Sequence, residues 1–288
     1  MEGSETLEIP TMADDLLAPA IARRGWAVPA FRAEPLTERR SAYVIVIPVI
    51  NEGERIQRQL REMAALGISA AIDTVVVDGG STDGSLERDF LESVGVRALL
   101  TKTGSGKLSA QLRCAYAWAL LESYHGIITI DGNGKDGVDS VPLFAMALDD
   151  GYGYVQASRF LKGGRAENTP LSRLLAIRLI HAPVLSLAAR QWLTDTTQGY
   201  RAYSSAYLLD PGTQPFRCIF QRYELLAYLT VRASQLGYKV KELPTSRVYP
   251  ANEAVPTKIS GFRALLDLLA VLWRTLRGDY HPTARGQE

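Results

Sequence analysis

Tyr43-Val-Ile-Val-Ile-Pro48 is the stretch that decides the fold. A β-branched, nearly unbroken apolar run predicts a strand covered on both faces. Ile56, Leu60, Met63 and Leu66 then recur at helical spacing, with Asn51 and Glu54 placed to form a capping pair. The alternation continues with strands over 74–77, 96–100, 127–130 and 154–157 and helices over 86–94, 108–121 and 141–148. This order predicts an α/β fold with a mostly parallel sheet flanked by helices. Ligands of such sheets bind outside the carboxyl ends of the strands. The residues that follow each strand are therefore the candidate site: Pro48, Asn51 and Glu52, then Asp78, then Gly104-Ser-Gly-Lys107, then Asp131.

Composition narrows the classes. Of 288 residues, 47% are hydrophobic and 22% charged, which supports a sizeable core and excludes global disorder. A net charge of +1 gives no field that favours nucleic acid. Cys114 and Cys218 stand among apolar residues without a paired CxxC and read as buried thiols. The histidines lack ligand spacing, against a zinc site. No secretory signal opens the chain, and Leu174 to Ala189 is interrupted by Arg178, His181 and Pro183. A span needs about 20 apolar residues, so a cytoplasmic location is expected. Arg173, Arg178 and Arg190 among the leucines of 172–193 suit an interfacial helix pair on a membrane. They suit a core helix or a homodimer surface equally well.

Several constellations carry possible chemistry, each with a plainer reading beside it. Asp131-Gly-Asn133 ends a buried strand with two oxygen-bearing side chains that point the same way, which suits a divalent cation on a diphosphate. It is also an ordinary strand-end turn. Asp78-Gly-Gly-Ser81-Thr82-Asp83 places an acid at a strand end and helix-capping residues behind it. Lys107 can meet a phosphate near a helix start, although Thr101 and Leu108 break the P-loop pattern. Arg159, Lys162, Arg165 and Arg173 surround Gly163-Gly164 and suit a phosphate, or form a solvated basic loop. Asp195 and Arg201 bracket a polar loop. Glu224 opens a helix, either facing a cleft or complementing the helix dipole.

In this order the motifs resemble those of the inverting family 2 glycosyltransferases with the GT-A fold. The nearest group is similar to the polyprenyl-phosphate (dolichyl-phosphate) mannosyl- and glucosyltransferases. Pro48-Val-Ile-Asn51-Glu52 resembles P-x-x-N-E, and Asp78 to Gly84 resembles D-D/G-x-S-x-D-G. Asp131-Gly-Asn133 stands at the D-x-D position, and Ser158-Arg159-Phe160 with Gly163-Gly164 resembles G-S-R-Y/F…G-G. Asp195-Thr-Thr-Gln-Gly199-Tyr200-Arg201 resembles D-x-x-S-G-F-R, Glu224 falls on a Q-x-E-like element, and Lys241-Glu-Leu-Pro244 resembles K-E-V-P.

The resemblance implies a nucleotide-sugar half (41–158) and an acceptor half (159–260) of one domain, between an N-terminal extension (1–40) and a C-terminal amphipathic helix and tail (261–288). It implies that Pro48, Asn51, Glu52, Asp78, Ser81 and Asp83 hold the nucleoside and Lys107 the donor phosphates. Asp131, Asn133 and Gln221 would bind Mg²⁺ or Mn²⁺. Arg159 and Arg173 would meet an acceptor phosphate, while Asp195, Glu224 and Arg201 would line the reacting centre. The expected donor is a UDP- or GDP-sugar, and the acceptor a polyprenyl phosphate or a cell-surface glycan precursor. The pattern departs from the family in two places. Asn133 brings no charge where a second acid is expected, which lowers metal affinity, with Asp136 nearby to compensate. Arg247-Val-Tyr-Pro250 and Pro256-Thr-Lys258 differ from the polyprenyl-phosphate pattern. Two rival readings stand beside this one. A sugar nucleotidyltransferase would release pyrophosphate and opens with a glycine-rich activating loop, which residues 48–56 lack. A degenerate GT-A scaffold would bind without turnover.

Overall fold

The structure, a computed structural model, describes residues 14–251 and 262–282. The Pro256-Thr-Lys258 segment and the chain ends lie outside these residues. The strands are β1 (Phe31–Pro35), β2 (Tyr43–Val49), β3 (Asp73–Asp78), β4 (Val96–Lys102), β5 (Gly126–Thr129), β6 (Tyr154–Ser158), β7 (Arg165–Glu167), β8 (Arg201–Ser204), β9 (Val240–Pro244) and β10 (Ser246–Val248). The helices are α1 (Asp14–Arg23), α2 (Glu54–Ala65), α3 (Ile68–Ala71), α4 (Arg88–Ser93), α5 (Leu108–Leu121), α6 (Val141–Asp149), α7 (Leu171–Ala176), α8 (Ala182–Ala189), α9 (Ser205–Leu209), α10 (Glu224–Gln235) and α11 (Phe262–Arg277). A π-helical turn, Ile177–His181, joins α7 to α8.

Eight strands form one sheet in the order β1-β4-β3-β2-β5-β8-β6-β9. The block β4-β3-β2-β5 is parallel, as is the β6-β9 pair, while β1 and β8 run antiparallel to their neighbours. Both faces are covered. One carries Val44, Val46 and Val75 against α5, α1 and α10; the other carries Ile45, Ile47 and Val76 against α2, α4 and α6. Every residue of β3 is buried, and α5 is buried from Ser109 to Leu121. An apolar strand and a helix apolar on all sides belong in such interior positions. The chain runs outward from β2 through β3 to β4, then crosses back to place β5 on the other side of β2. The strand order therefore reverses between β3 and β5, and the crevice above β2 and β5 is the switch point where a ligand fits.

Four expectations change. The expected N-terminal extension is part of the domain from Asp14: Leu17 and Ala20 of α1 are in the core, β1 extends the sheet, and Trp26 stacks on Phe216 at 4.2 Å. Phe31-Arg-Ala-Glu-Pro35 has no apolar run, and Ala33 alone of the five turns fully inward. Asn51 and Glu54 form no capping pair; Gly53 is the N-cap, and Asn51 has φ 49°. Cys114 is buried, but Cys218 is exposed. Arg201–Ser204 is a strand, held between β5 and β6 by pairings that no local pattern announces.

Candidate active site

The loops after β2 and β3 are laced together by side chains that were expected to hold a nucleoside. Asn51 Oδ1 accepts from the Thr82 N–H at 2.8 Å, and the Asn51 N–H donates to Ser81 Oγ at 3.0 Å. Asp83 Oδ2 accepts from the Gly53 N–H at 2.8 Å, and its Oδ1 accepts from Ser85. Burial opposes ionisation of Asp83, but these bonds outweigh it and hold the carboxyl below the usual range. Asp78 Oδ1 accepts from Ser81 N–H and Oγ–H, at 2.8 and 2.7 Å. These bonds fix the two loops as one rim; Pro48, at the end of β2, and Glu52, 3.6 Å from Arg55, lie on it. Gln111 adds a brace from α5, its amide donating to the Val49 and Val77 carbonyls at the ends of β2 and β3. Nothing in the sequence around Gln111 announces that role.

Asp131 stands on the adjacent loop. Gly132 presses on the end of β2, where a Cβ would come within 2.9 Å of Val49 and 3.1 Å of the Pro48 carbonyl. Gly199 presses on Asp131 itself, where a Cβ would fall 2.0 Å from Oδ1. The Asp195–Arg201 segment is thus brought onto the Asp131 carboxylate by a residue without a side chain. Asp131 retains 23% side-chain exposure. Asn133 donates to Asp131 Oδ2 at 3.5 Å, and its own carbonyl accepts from the Lys135 N–H at 3.3 Å.

The metal expectation is modified. Asp136 is not a spare ligand: its side chain has no exposure and accepts from Arg247 Nη1 at 2.6 and 2.7 Å. Gln221 donates to the Cys218 carbonyl and lies against Gly106, and no hydrogen bond joins it to Asp131 or Asn133. Among the described residues no group of three or more His, Cys, Asp or Glu side chains forms a cage. One carboxylate and one amide oxygen fit a hard divalent cation whose other ligands are phosphate and water. They fit it as part of a donor complex.

The three residues expected at the reacting centre each have partners within the fold. Asp195 is buried in an ion pair with Arg159 at 2.7 Å and also accepts from Thr197 and Gln198. Asp195 has no exposure and Arg159 only 3%, so each is engaged by the other within the fold. Arg201 is interior, donating to the Thr196, Gln198 and Leu226 carbonyls and to Thr230 Oγ1. Glu224, the first residue of α10, accepts from the Gln221 and Arg222 N–H groups of the turn that precedes the helix. Lys107 is exposed and, with Arg222, Glu224, Asp267 and Arg274, lines a cavity of about 280 Å³ beside α11. Of the expected acceptor residues Arg173 alone is at hand, half-buried and donating to the Tyr249 hydroxyl at 3.0 Å.

Sequence reading missed three parts of the site. Glu242 anchors the Asp195 loop by accepting from Thr194 and Asp195 N–H groups. Lys135 and Arg247 flank the Tyr249 ring, at 5.1 and 5.9 Å. Burial alone raises the Tyr249 hydroxyl, but the Arg247 charge and the Arg173 bond outweigh it and bring the group down to about 8. The Lys241-Glu-Leu-Pro244 motif contains Glu242 and could have pointed to it; Arg247 and Tyr249 were visible only as a departure.

Comparison with known proteins places the chain among glycosyltransferase relatives in sequence and beside one in fold. No family model matches the chain. An uncharacterized protein of Methanocaldococcus jannaschii, MJ1222, is 27% identical over 231 residues, 78% of this chain and 90% of its own. Glycosyltransferase AglJ of Haloferax volcanii is 26% identical, covering 77% and 68%. Polyprenol monophosphomannose synthase of Mycolicibacterium smegmatis is 25% identical, covering 76% and 81%. In fold the chain is similar to glucosyl-3-phosphoglycerate synthase of Mycobacterium tuberculosis in complex with UDP, at TM-score 0.59 and 15% identity over 96% of this chain and 87% of that one. The same enzyme with Mn²⁺, UDP-glucose and glycerol 3-phosphate aligns at TM-score 0.55 and 17% identity, covering 97% and 88%.

Proposed function

We propose that the chain is an inverting glycosyltransferase that moves a sugar from a UDP- or GDP-sugar to a lipid phosphate. The observation that carries the donor half is the convergence of Pro48, Asp131 and Gly199 at the switch point of the sheet. Named glycosyltransferases among the relatives support it. An acceptor oxygen forms a bond to the anomeric carbon from one face while the bond to the diphosphate oxygen breaks on the other, its electron pair leaving with the diphosphate. A divalent cation bound with the donor neutralises that developing charge. Asp131 and Asn133 would hold it, Mn²⁺ or Mg²⁺ as in the solved complexes of similar fold.

The acceptor is read from the carboxylates. Asp195 and Glu224 both have structural partners. A hydroxyl acceptor needs a base, whereas a phosphate monoester is already anionic and needs cations that position it. Arg173 beside Tyr249 offers one. Polyprenol monophosphomannose synthase supports a polyprenyl phosphate by its name.

A lipid acceptor calls for a membrane-facing surface. The helical stretch Leu171–Ala189 is long and apolar enough by length and composition to cross a membrane, yet only 28% of it is buried. Its inner side packs with α10 and α11 through Leu185, Ala188, Val231 and Leu272. Leu171, Leu179, Leu187 and Trp192 are each about two-thirds or more exposed, and Trp273 of α11 is 59% exposed. Arg178, Arg190, Arg274 and Arg277 are exposed among them. A broad apolar face with tryptophans and arginines suits the interface of an anionic bilayer.

Thermal unfolding in the presence of UDP- and GDP-sugars with Mn²⁺ tests the donor, because a ligand of the native state raises apparent stability. One nucleotide sugar should raise the midpoint, and turnover should release the nucleoside diphosphate. Release of pyrophosphate would favour a nucleotidyltransferase. Binding without turnover on any acceptor would favour a scaffold.

A further inference from the structure

The Asp131 loop carries a cation of its own. β10 lies along residues 135–137, the Val248 N–H donating to the Lys135 carbonyl and the Gly137 N–H to the Ser246 carbonyl. This pairing lays Arg247 between two acids. Its Nη1 meets both oxygens of Asp136, at 2.6 and 2.7 Å, and its Nη2 reaches Asp131 Oδ2 at 3.3 Å. The two contacts are unequal. The short, two-oxygen contact is to an acid without exposure; the longer, single contact is to the acid with 23% exposure. Arg247 is therefore fixed at one amino group and loosely held at the other.

The formal charges here cancel: Asp131 and Asp136 against Arg247 and Lys135, with Asn133 contributing none. A divalent ion arriving alone gains nothing from the sum of these four charges and must compete with a guanidinium for Asp131 Oδ2. A diphosphate changes both terms. It adds negative charge, and it offers an arginine the oxygen pair that suits its fork.

Building on the proposed donor site at Asp131, we propose that Arg247 is a resident counter-ion whose Nη2 exchanges Asp131 for a diphosphate oxygen while Asp136 keeps Nη1 in place. Asp131 takes up the divalent cation only when a nucleoside diphosphate is there to receive the guanidinium, so the two ligands bind as a unit. Arg247 is a positioning residue in this scheme, and Asn133 adds no charge to the cluster.

Free Mn²⁺, followed by electron paramagnetic resonance with the full chain and with UDP or GDP, tests this. The wild type should bind Mn²⁺ weakly alone and on the order of tenfold tighter with the nucleotide, within the usual span of coupling between sites. Asp136→Asn/Arg247→Gln removes both buried charges together. It should bind Mn²⁺ alone about tenfold tighter than the wild type and lose most of the coupling. Binding no tighter than wild type, with coupling retained, overturns the proposal. Asp131→Asn separates the two levels: if it keeps nucleotide-dependent Mn²⁺ binding, or if the wild type binds none with either nucleotide, the donor-site reading falls with everything built on it. A crystal structure of the wild type with Mn²⁺ and the nucleotide that binds gives a check independent of the variants' folding. Arg247 should contact the diphosphate; a retained Arg247–Asp131 contact beside the bound metal contradicts the exchange.

Discussion

Asp195 is a residue of a catalytic type in a catalytic motif whose contacts are all structural. Its carboxylate is enclosed by Arg159, Thr197 and Gln198, so its contribution is to the shape of the loop that carries Gly199 to Asp131. Removing one member of a buried ion pair costs about 3–5 kcal/mol, because the other charge is left uncompensated. Asp195→Ala should therefore unfold at markedly lower denaturant concentration than the wild type. A variant of unchanged stability with lost turnover would restore Asp195 as the base. Tyr249 makes a second claim at this scale. With the hydroxyl brought down to about 8, tyrosinate absorbance should rise by one residue near that pH and vanish in Tyr249→Phe. Absorbance that stays flat until pH about 10, the ordinary tyrosine value, would contradict it. A depressed folded-state value stabilises the native chain fully above the unfolded value, and that contribution is lost as pH falls through about 8.

Elements were legible where they are long and periodic. β2, β3, β4 and α5 follow from apolar runs and helical spacing, and the strand ends pointed to Pro48 and Asp131, which the fold brings together through Gly132. β1, β8 and β10 were not legible, because five, four and three residues of mixed character take their conformation from main-chain pairing with distant strands. The Arg247 contact was not legible for the same reason: Arg247 reaches Asp131 across 116 positions through the short β10. Gly199 tests how closely the Asp195 segment must approach. Gly199→Ala would drive a Cβ into Asp131 Oδ1, so turnover should fall by on the order of a hundredfold, the usual result of misplacing a reacting group by about 1 Å. Near-normal turnover would mean that the segment is free to retreat without loss.

At the scale of the molecule, two surfaces divide the work proposed for the chain: a donor crevice above β2 and β5, and an apolar face on α7, α8 and α11. Sequence reading found the stretch 172–193 but left membrane, core and dimer open, since periodicity gives a face without naming what covers it. The exposure of Trp192 and Trp273 favours a bilayer. Liposomes containing anionic lipid should co-sediment the protein at low salt, and Trp192→Ser/Trp273→Ser should weaken binding by on the order of tenfold or more. A concentration-dependent dimer with no liposome binding would assign the face to a second copy instead. The donor crevice is the central claim, and Asp131 is the residue on which it turns. The most direct measurement is sugar transfer by Asp131→Ala, with the accepted nucleotide sugar and Mn²⁺, alongside its thermal unfolding. The account predicts turnover reduced at least a hundredfold, the scale on which one charge-stabilising group acts, with an unfolding midpoint close to wild type. Near-normal transfer by a folded Asp131→Ala protein would contradict it.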